Sequence, residues 1–285
     1  MRFVTFRRGG ALPEPGVLKG TKVIGLKSLG YSTLIEVIEN WDDARSQVEG
    51  LLKDAMADAY QDLSAVHLMA PILRPSKLLC VGLNYRDHAI ESKMEIPKVP
   101  TIFSKFASSI IGPGETIILP KKSEKPDYEA EFALVIGKGG RHIPEDKWKD
   151  HVFGYTILND VSARDYQLAT TQWLMGKTFD TFAPMGPAVV TADEVSDPHN
   201  LDIKMTVSGE VLQNSNTKHL IFNIPTLISY ISSVCTLEPG DIISTGTPAG
   251  VGLGYNPPRW LKPGDECVVS VQELGELRNP CVLEA

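Results

Sequence analysis

The sequence predicts a mainly β fold of the α+β class: a rolled or barrel-like mixed sheet with peripheral helices, preceded by a small α+β module. Three observations lead there. Beyond residue 70, short apolar runs bounded by Gly and Pro recur at 78–81, 117–119, 132–136, 153–158, 188–191, 203–207, 241–245 and 267–271, as buried strands do. One clear helix interrupts them at 224–234, with Pro225 in its first turn and Leu227, Ile228 and Ile231 on one face. Strands and helices do not alternate, which argues against a doubly wound sheet.

Taken in order, the chain opens with strands at 3–6 and 23–26, separated by Gly9-Gly10 and Pro13-Glu14-Pro15-Gly16. Thr33 and Glu36 have capping-box spacing and open a short helix. Asp42 starts a longer one, with Val48, Leu51, Leu52, Ala55 and Ala59 on one face. Nothing in residues 1–70 carries visible chemistry. The prolines of Ala70-Pro71-Ile72-Leu73-Arg74-Pro75 set an extended connector, so 1–70 is expected as a small module and 71–285 as the catalytic domain.

With 42% hydrophobic and 22% charged residues, the composition is that of a globular protein rather than a disordered chain. A net charge of −7 argues against a nucleic-acid surface, and no apolar run reaches membrane-spanning length. Cys80, Cys235, Cys267 and Cys281 have no zinc-ligand spacing. Wide cysteine spacing and a start that reads as a strand lead to the expectation of a cytoplasmic protein.

Polar residues where core is expected point to chemistry. Glu129 and Glu131 are two apart at the start of a buried strand, so they share a face. Asp160 ends the next strand. Three carboxylates brought together would repel, and a hard divalent cation would relieve them. Alone, the same pattern also suits an exposed strand end and a helix cap. His88 and Glu91, three apart on a helical turn, suit either a general base with its orienting carboxylate or a surface ion pair. The aperiodic segment 93–100 after them reads as a lid-like loop. Lys177, in apolar surroundings, is either a snorkelling side chain or an ammonium aimed at developing negative charge. Arg164 and Gln167 are three apart on the helix expected to start at Asp160. The glycine-rich run Thr245-Gly246-Thr247-Pro248-Ala249-Gly250-Val251-Gly252 offers bare amides and the Thr247 hydroxyl to a carboxylate.

Five segments together resemble the fumarylacetoacetate hydrolase family. They are Gly82-Leu83-Asn84-Tyr85-Arg86-Asp87-His88, Asp127-Tyr128-Glu129-Ala130-Glu131, Asn159-Asp160-Val161-Ser162-Ala163-Arg164-Asp165, Gly176-Lys177-Thr178-Phe179-Asp180 and the run 245–252. The resemblance covers residues 71 to the C-terminus. It implies a mixed β-roll, usually a homodimer, and Mg²⁺, with Mn²⁺ or Ca²⁺ as substitutes, on Glu129, Glu131 and Asp160. It assigns His88, Glu91 and Lys177 to catalysis, and Arg164, Gln167 and Thr247 to a small anionic 2-oxo acid. The implied reaction is C–C hydrolysis, decarboxylation or keto–enol isomerisation through an enolate. A non-catalytic metabolite binder on the same fold and a hydratase-type lyase are the alternatives.

Overall fold

The computed structural model describes residues 1–91 and 95–285. Its centre is a twelve-stranded mixed sheet. The main path runs Gln61–Asp62, Lys22–Gly25, Glu14–Lys19, Arg2–Arg7, Ala183–Thr191, Val152–Asn159, Ala130–Ile136, Ile242–Ser244, Leu78–Gly82, Thr101–Ser104. The path has two ends among the described residues, so the sheet curls without closing into a barrel. A five-stranded sheet packs beside it, ordered Glu210–Asn216, Asp202–Val207, Glu266–Val271, Gly275–Leu283, Ile117–Leu119.

Strand alternation accounts for the layering. Ala130, Phe132, Leu134 and Ile136 join a core with Ile203 and Met205 of the smaller sheet and Leu227, Ile228 and Ile231 of the helix Ile224–Val234. Ala133 and Val135, on the other face, join a core with Leu34, Val37, Ile38, Ala44 and Val48 of the N-terminal helices. Burial on both faces explains why this strand reads as an uninterrupted apolar run. Phe132 stacks on Tyr155 of the next strand at 5.1 Å, worth about 0.5–1.5 kcal/mol beyond its buried area.

The helix Ile224–Val234 starts as its sequence says: Asn223 accepts a hydrogen bond from the Thr226 amide at 3.1 Å and Pro225 sits in the first turn. Thr33 likewise caps Leu34–Glu39 by accepting from the Glu36 amide. The following helix, Trp41–Asp54, is shorter than its apolar pattern suggests. Ala55 is already extended and Ala59 lies beyond the end, because the chain turns back and Tyr60 donates to the Leu52 carbonyl. Residues 1–70 do not form a detached sheet. Arg2–Arg7 pairs directly with Ala183–Thr191, and Trp41 packs edge-on against Phe153 at 4.9 Å. Among the described residues no helix is long and apolar enough to cross a membrane.

Candidate metal and substrate site

The site is made where two central strands begin and end. Ala130–Ile136 and Val152–Asn159 are antiparallel, with Ala130 opposite Asn159. That register sets Glu129, just before one strand, beside Asp160, just after the other, and the Asp160 amide donates to the Glu129 carbonyl at 2.9 Å. Glu131 lies two residues further on. One carboxylate oxygen from each of Glu129, Glu131 and Asp160 lies within 4.8 Å of the others. All three residues are buried.

Isolated ionised carboxylates cannot be packed this way without compensation. Lys177 Nζ donates to Glu129 at 2.7 Å and to Asp160 at 2.8 Å. Arg164 Nη1 pairs with Glu129 at 2.8 Å, and its Nε donates to Asp127 at 2.8 Å. Burial alone would raise the Glu129 pKa, but Lys177 and Arg164 hold it down to about 2. Glu131 goes the other way. Burial, then the neighbouring Asp160 and Glu129 charges, push it well above the ordinary carboxylate value, although Ser244 Oγ and the Gly246 amide donate to it. This is the mark of a site one positive charge short. Three clustered hard-oxygen donors, one of them frustrated by its neighbours, fit a divalent cation.

Lys177 is fully buried and ion-paired, so the snorkelling alternative is excluded. Gly176 permits its position: a Cβ there would lie 2.3 Å from the Gln167 amide, so only glycine lets Leu174–Lys177 close on the short helix Arg164–Gln167. That helix is opened by Ala163, not Asp160, which differs from the sequence expectation. After Asp160 the chain makes a two-residue pairing, Ser162–Ala163 against Pro126–Asp127, before it turns.

His88 and Glu91 fall on the helix Arg86–Glu91, with Nδ1 and Oε2 3.3 Å apart. The lid-like segment expected after them begins outside the described residues, since Lys93 and Met94 are not among them. One cavity of about 340 Å³ is lined by His88, Glu91, Glu129, Glu131, Arg164, Gln167, Lys177 and Thr247. Asp160 lies behind it, held by Lys177. Among the described residues, the buried Arg164 Nη2 has no hydrogen-bond partner, while Nη1 donates to Gln167 Oε1 at 2.8 Å. Arg164 lines the cavity and carries a buried nitrogen without a partner, a combination that suits an anion-binding guanidinium.

The glycine-rich loop corrects one expectation. Its glycine amides do not stay free for a substrate carboxylate. Gly246 donates to Glu131, Gly250 to Glu91 at 2.9 Å, and Gly252 and Leu253 to Asp127 at 2.6 and 3.0 Å. The loop holds the protein's own acids in place. Thr247 accepts from Gln213 Nε2 at 2.8 Å, which leaves its hydroxyl hydrogen free to donate into the cavity.

Two residues escaped sequence reasoning. Lys105 Nζ, fully buried, donates to Asp160 Oδ1 at 2.5 Å and to the Val161 carbonyl at 3.0 Å. Its signal was the one noted for Lys177, a lone lysine in an apolar run. Asp127 accepts from Arg164, Gly252, Leu253 and the Tyr128 amide, and so joins the anion-binding guanidinium to the loop that walls the cavity. Asp127→Asn would turn an amide group against two of these donors. We expect a loss of about 3–5 kcal/mol in stability, and in the surviving enzyme a KM raised at least tenfold, with kcat less affected. Denaturant titration and steady-state kinetics check this, and an unchanged KM contradicts it.

Residues 77–282 match the family profile described as Fumarylacetoacetate (FAA) hydrolase C-terminal. The chain belongs to the fumarylacetoacetate hydrolase family. It is 52% identical over 221 residues to the mitochondrial oxaloacetate tautomerase fahd2 of Xenopus laevis, covering 77% of this chain and 69% of that protein. It is 48% identical over 252 residues to the mitochondrial oxaloacetate tautomerase FAHD2A of Bos taurus, covering 88% and 80%. The maleylpyruvate hydrolase of Sphingobium sp. SYK-6, solved with manganese(II) and pyruvate, superposes over both whole chains with a TM-score of 0.85 at 30% identity. These matches bear out the mixed β-roll of the family. They overturn the cytoplasmic expectation, since both curated relatives are mitochondrial proteins. Free cysteines and an ordinary composition suit any thiol-reducing compartment, so they could not separate one from another.

Proposed function

We propose that the chain is a divalent-metal-dependent enzyme acting on small 2-oxo acids. Its reactions are keto–enol tautomerisation of oxaloacetate, decarboxylation, and cleavage of acylpyruvate-type acids. Mg²⁺ is the proposed ion, with Mn²⁺ or Ca²⁺ able to replace it, and the proposed assembly is a homodimer. The division at residue 70 is part of the same reading: 1–70 buttresses the sheet, and 71–285 carries every proposed site residue. The observation that carries the proposal is the meeting, in one cavity, of Glu129 and Glu131 from the carboxylate cluster, Arg164 and the His88–Glu91 pair.

Glu129, Glu131 and Asp160 would hold the cation, which when bound supplies Lewis-acid polarisation of the keto oxygen. The Arg164 guanidinium binds the substrate carboxylate, with Gln167 and Thr247 as orienting neighbours. His88, held by Glu91, takes the C3 proton in tautomerisation and returns it to oxygen, or takes a proton from water in hydrolysis. Lys177, whose charge is sustained by Asp160 and Glu129 against burial, adds positive potential where negative charge grows. A dyad able to move protons gives a pure binding protein no purpose it needs, which favours catalysis over that alternative.

The test pairs two readouts on chelator-treated protein. Adding Mg²⁺ or Mn²⁺ at a hundred times Kd should stabilise the fold by about 2.7 kcal/mol. The same addition should restore decay of the oxaloacetate enol absorbance. A protein that neither gains stability nor needs metal for turnover contradicts the proposal.

A further inference from the structure

A glutamine is buried behind this site. Gln213, in the strand Glu210–Asn216, is 1% exposed, and a buried amide is costly unless each of its groups finds a partner. Its Oε1 accepts from the Ala130 amide at 2.9 Å, the backbone group between Glu129 and Glu131. Its Nε2 donates to Thr247 Oγ1 and to the Pro248 carbonyl, both at 2.8 Å. One side chain of the smaller sheet thus joins the strand of the carboxylate cluster to the glycine-rich loop. The loop lies close against that sheet: a Cβ on Gly250 would fall 2.0 Å from the Leu212 carbonyl, and Tyr255 donates to the same carbonyl at 3.0 Å.

The direction of these bonds has a chemical consequence. A glutamine amide can be turned end for end with little change of shape, but two backbone groups forbid it here. The Ala130 N–H only donates, so it faces the oxygen, and the Pro248 carbonyl only accepts, so it faces the nitrogen. Nε2 is therefore the atom turned to Thr247, whose oxygen accepts and whose hydrogen is left for another acceptor. Thr247 is 4% exposed and lines the cavity. Among the described residues its hydroxyl donates to no protein group. With the amide reversed, the same hydroxyl would spend its hydrogen on Gln213 and show a ligand only lone pairs.

We propose that Gln213 is a positioning residue: by donating to Thr247 it reserves that hydroxyl as a donor to an oxygen of the bound acid. Gln213 is not among the residues that line the cavity, so it acts through Thr247. The proposal rests on the 2-oxo-acid reading and goes beyond it by naming the residue that sets the polarity of one substrate contact from behind the wall.

Calorimetry of pyruvate on the Mn²⁺-loaded protein tests this without turnover. Pyruvate at neutral pH offers oxygens that only accept. Thr247→Val should weaken its binding about tenfold, the scale of a hydrogen bond to a charged group, and Thr247→Ser should recover most of that loss. Gln213→Met, which keeps the bulk and removes the donor, should weaken it at least about threefold. Gln213→Glu should weaken it as much as Thr247→Val, because its carboxylate takes the Thr247 hydrogen. In the Thr247→Val background, Gln213→Met should add less than about twofold, an outcome that a general structural role would not produce. A Gln213→Met loss that persists in full there, an unchanged Kd in a folded Gln213 variant, or a Thr247→Ser as weak as Thr247→Val overturns the proposal. If neither Gln213 variant folds, the Thr247 pair decides. Failure of the loaded wild type to bind pyruvate at all overturns the 2-oxo-acid reading and the proposal with it.

Discussion

Glu131→Gln is expected to leave apo protein at least as stable as the apo wild type and to lose nearly all metal-dependent turnover. The two halves have one cause. Glu131 sits in a fully buried strand with Glu129 and Asp160 oxygens within 4.8 Å, and no lysine or arginine salt bridge reaches it among the described residues. Its carboxyl is pushed well up by burial, Asp160 and Glu129. A group raised in the folded state contributes stability at low pH and loses it as pH rises toward the folded value, so at neutral pH this carboxylate strains the apo fold. Glutamine removes the like charge, keeps an oxygen for the Gly246 amide and nearly keeps the volume. A gain of about 1–3 kcal/mol in the apo state is the expected scale.

Metal should reverse the order. Wild type is stabilised by binding, and the variant, short of one anionic ligand, is stabilised little. Loss of an outer-shell partner typically costs 10–100-fold in metal affinity, so loss of a direct ligand should cost at least about 100-fold. Turnover at fixed Mg²⁺ should fall by about three orders of magnitude or more. The measurement is thermal melting with and without Mn²⁺, alongside kinetics. An apo variant much less stable than wild type, or one that binds Mn²⁺ normally, would falsify the assignment of Glu131.

How far the sequence revealed this site follows from the geometry. Glu129, Glu131 and Asp160 were legible because a two-residue strand period and one antiparallel register suffice to bring them together. His88 and Glu91 were legible through helical spacing. Lys105 was not, because it comes from the strand end near Thr101–Ser104, at the far edge of the sheet path, and its meeting with Asp160 depends on sheet order. The destination of the loop amides was hidden for the same reason: glycines signal available N–H groups, not which acid will face them. The strands Glu210–Asn216 and Gly275–Leu283 were missed because their buried positions include the polar Gln213, Asn216 and Asn279, while Val211, Val282 and Leu283 are exposed, so the apolar alternation is broken. Ala183–Thr191 starts earlier than its apolar run because Pro184, Gly186 and Pro187 read as a turn, yet the strand carries them with a register shift against its neighbour. Closure into a barrel is likewise beyond a strand count, since it depends on whether the first and last strands meet.

His88→Ala should separate the reactions this site can run. Its ring nitrogen lies 3.3 Å from Glu91, and Glu91 is itself fixed by the Gly250 amide at 2.9 Å, so the imidazole is held from behind. A side chain held this way is suited to moving a proton. Tautomerisation of oxaloacetate moves one from C3 to oxygen, and hydrolysis of an acylpyruvate takes one from water. Both should fall by about 10²–10⁴-fold in kcat, the usual worth of a positioned acid or base. Decarboxylation differs, because the electrons left by departing CO₂ need a sink and no base, so that rate should fall less than tenfold. Glu91→Gln should reproduce the pattern at smaller amplitude, since the imidazole keeps its place but loses the anion that supports its charged form. The measurement is a three-way assay on wild type and both variants: enol decay, acylpyruvate cleavage and CO₂ release. Equal small losses in all three would make His88 structural. A collapse of decarboxylation as deep as that of tautomerisation would mean instead that the imidazole binds the substrate, with its second carboxylate as the first contact to test.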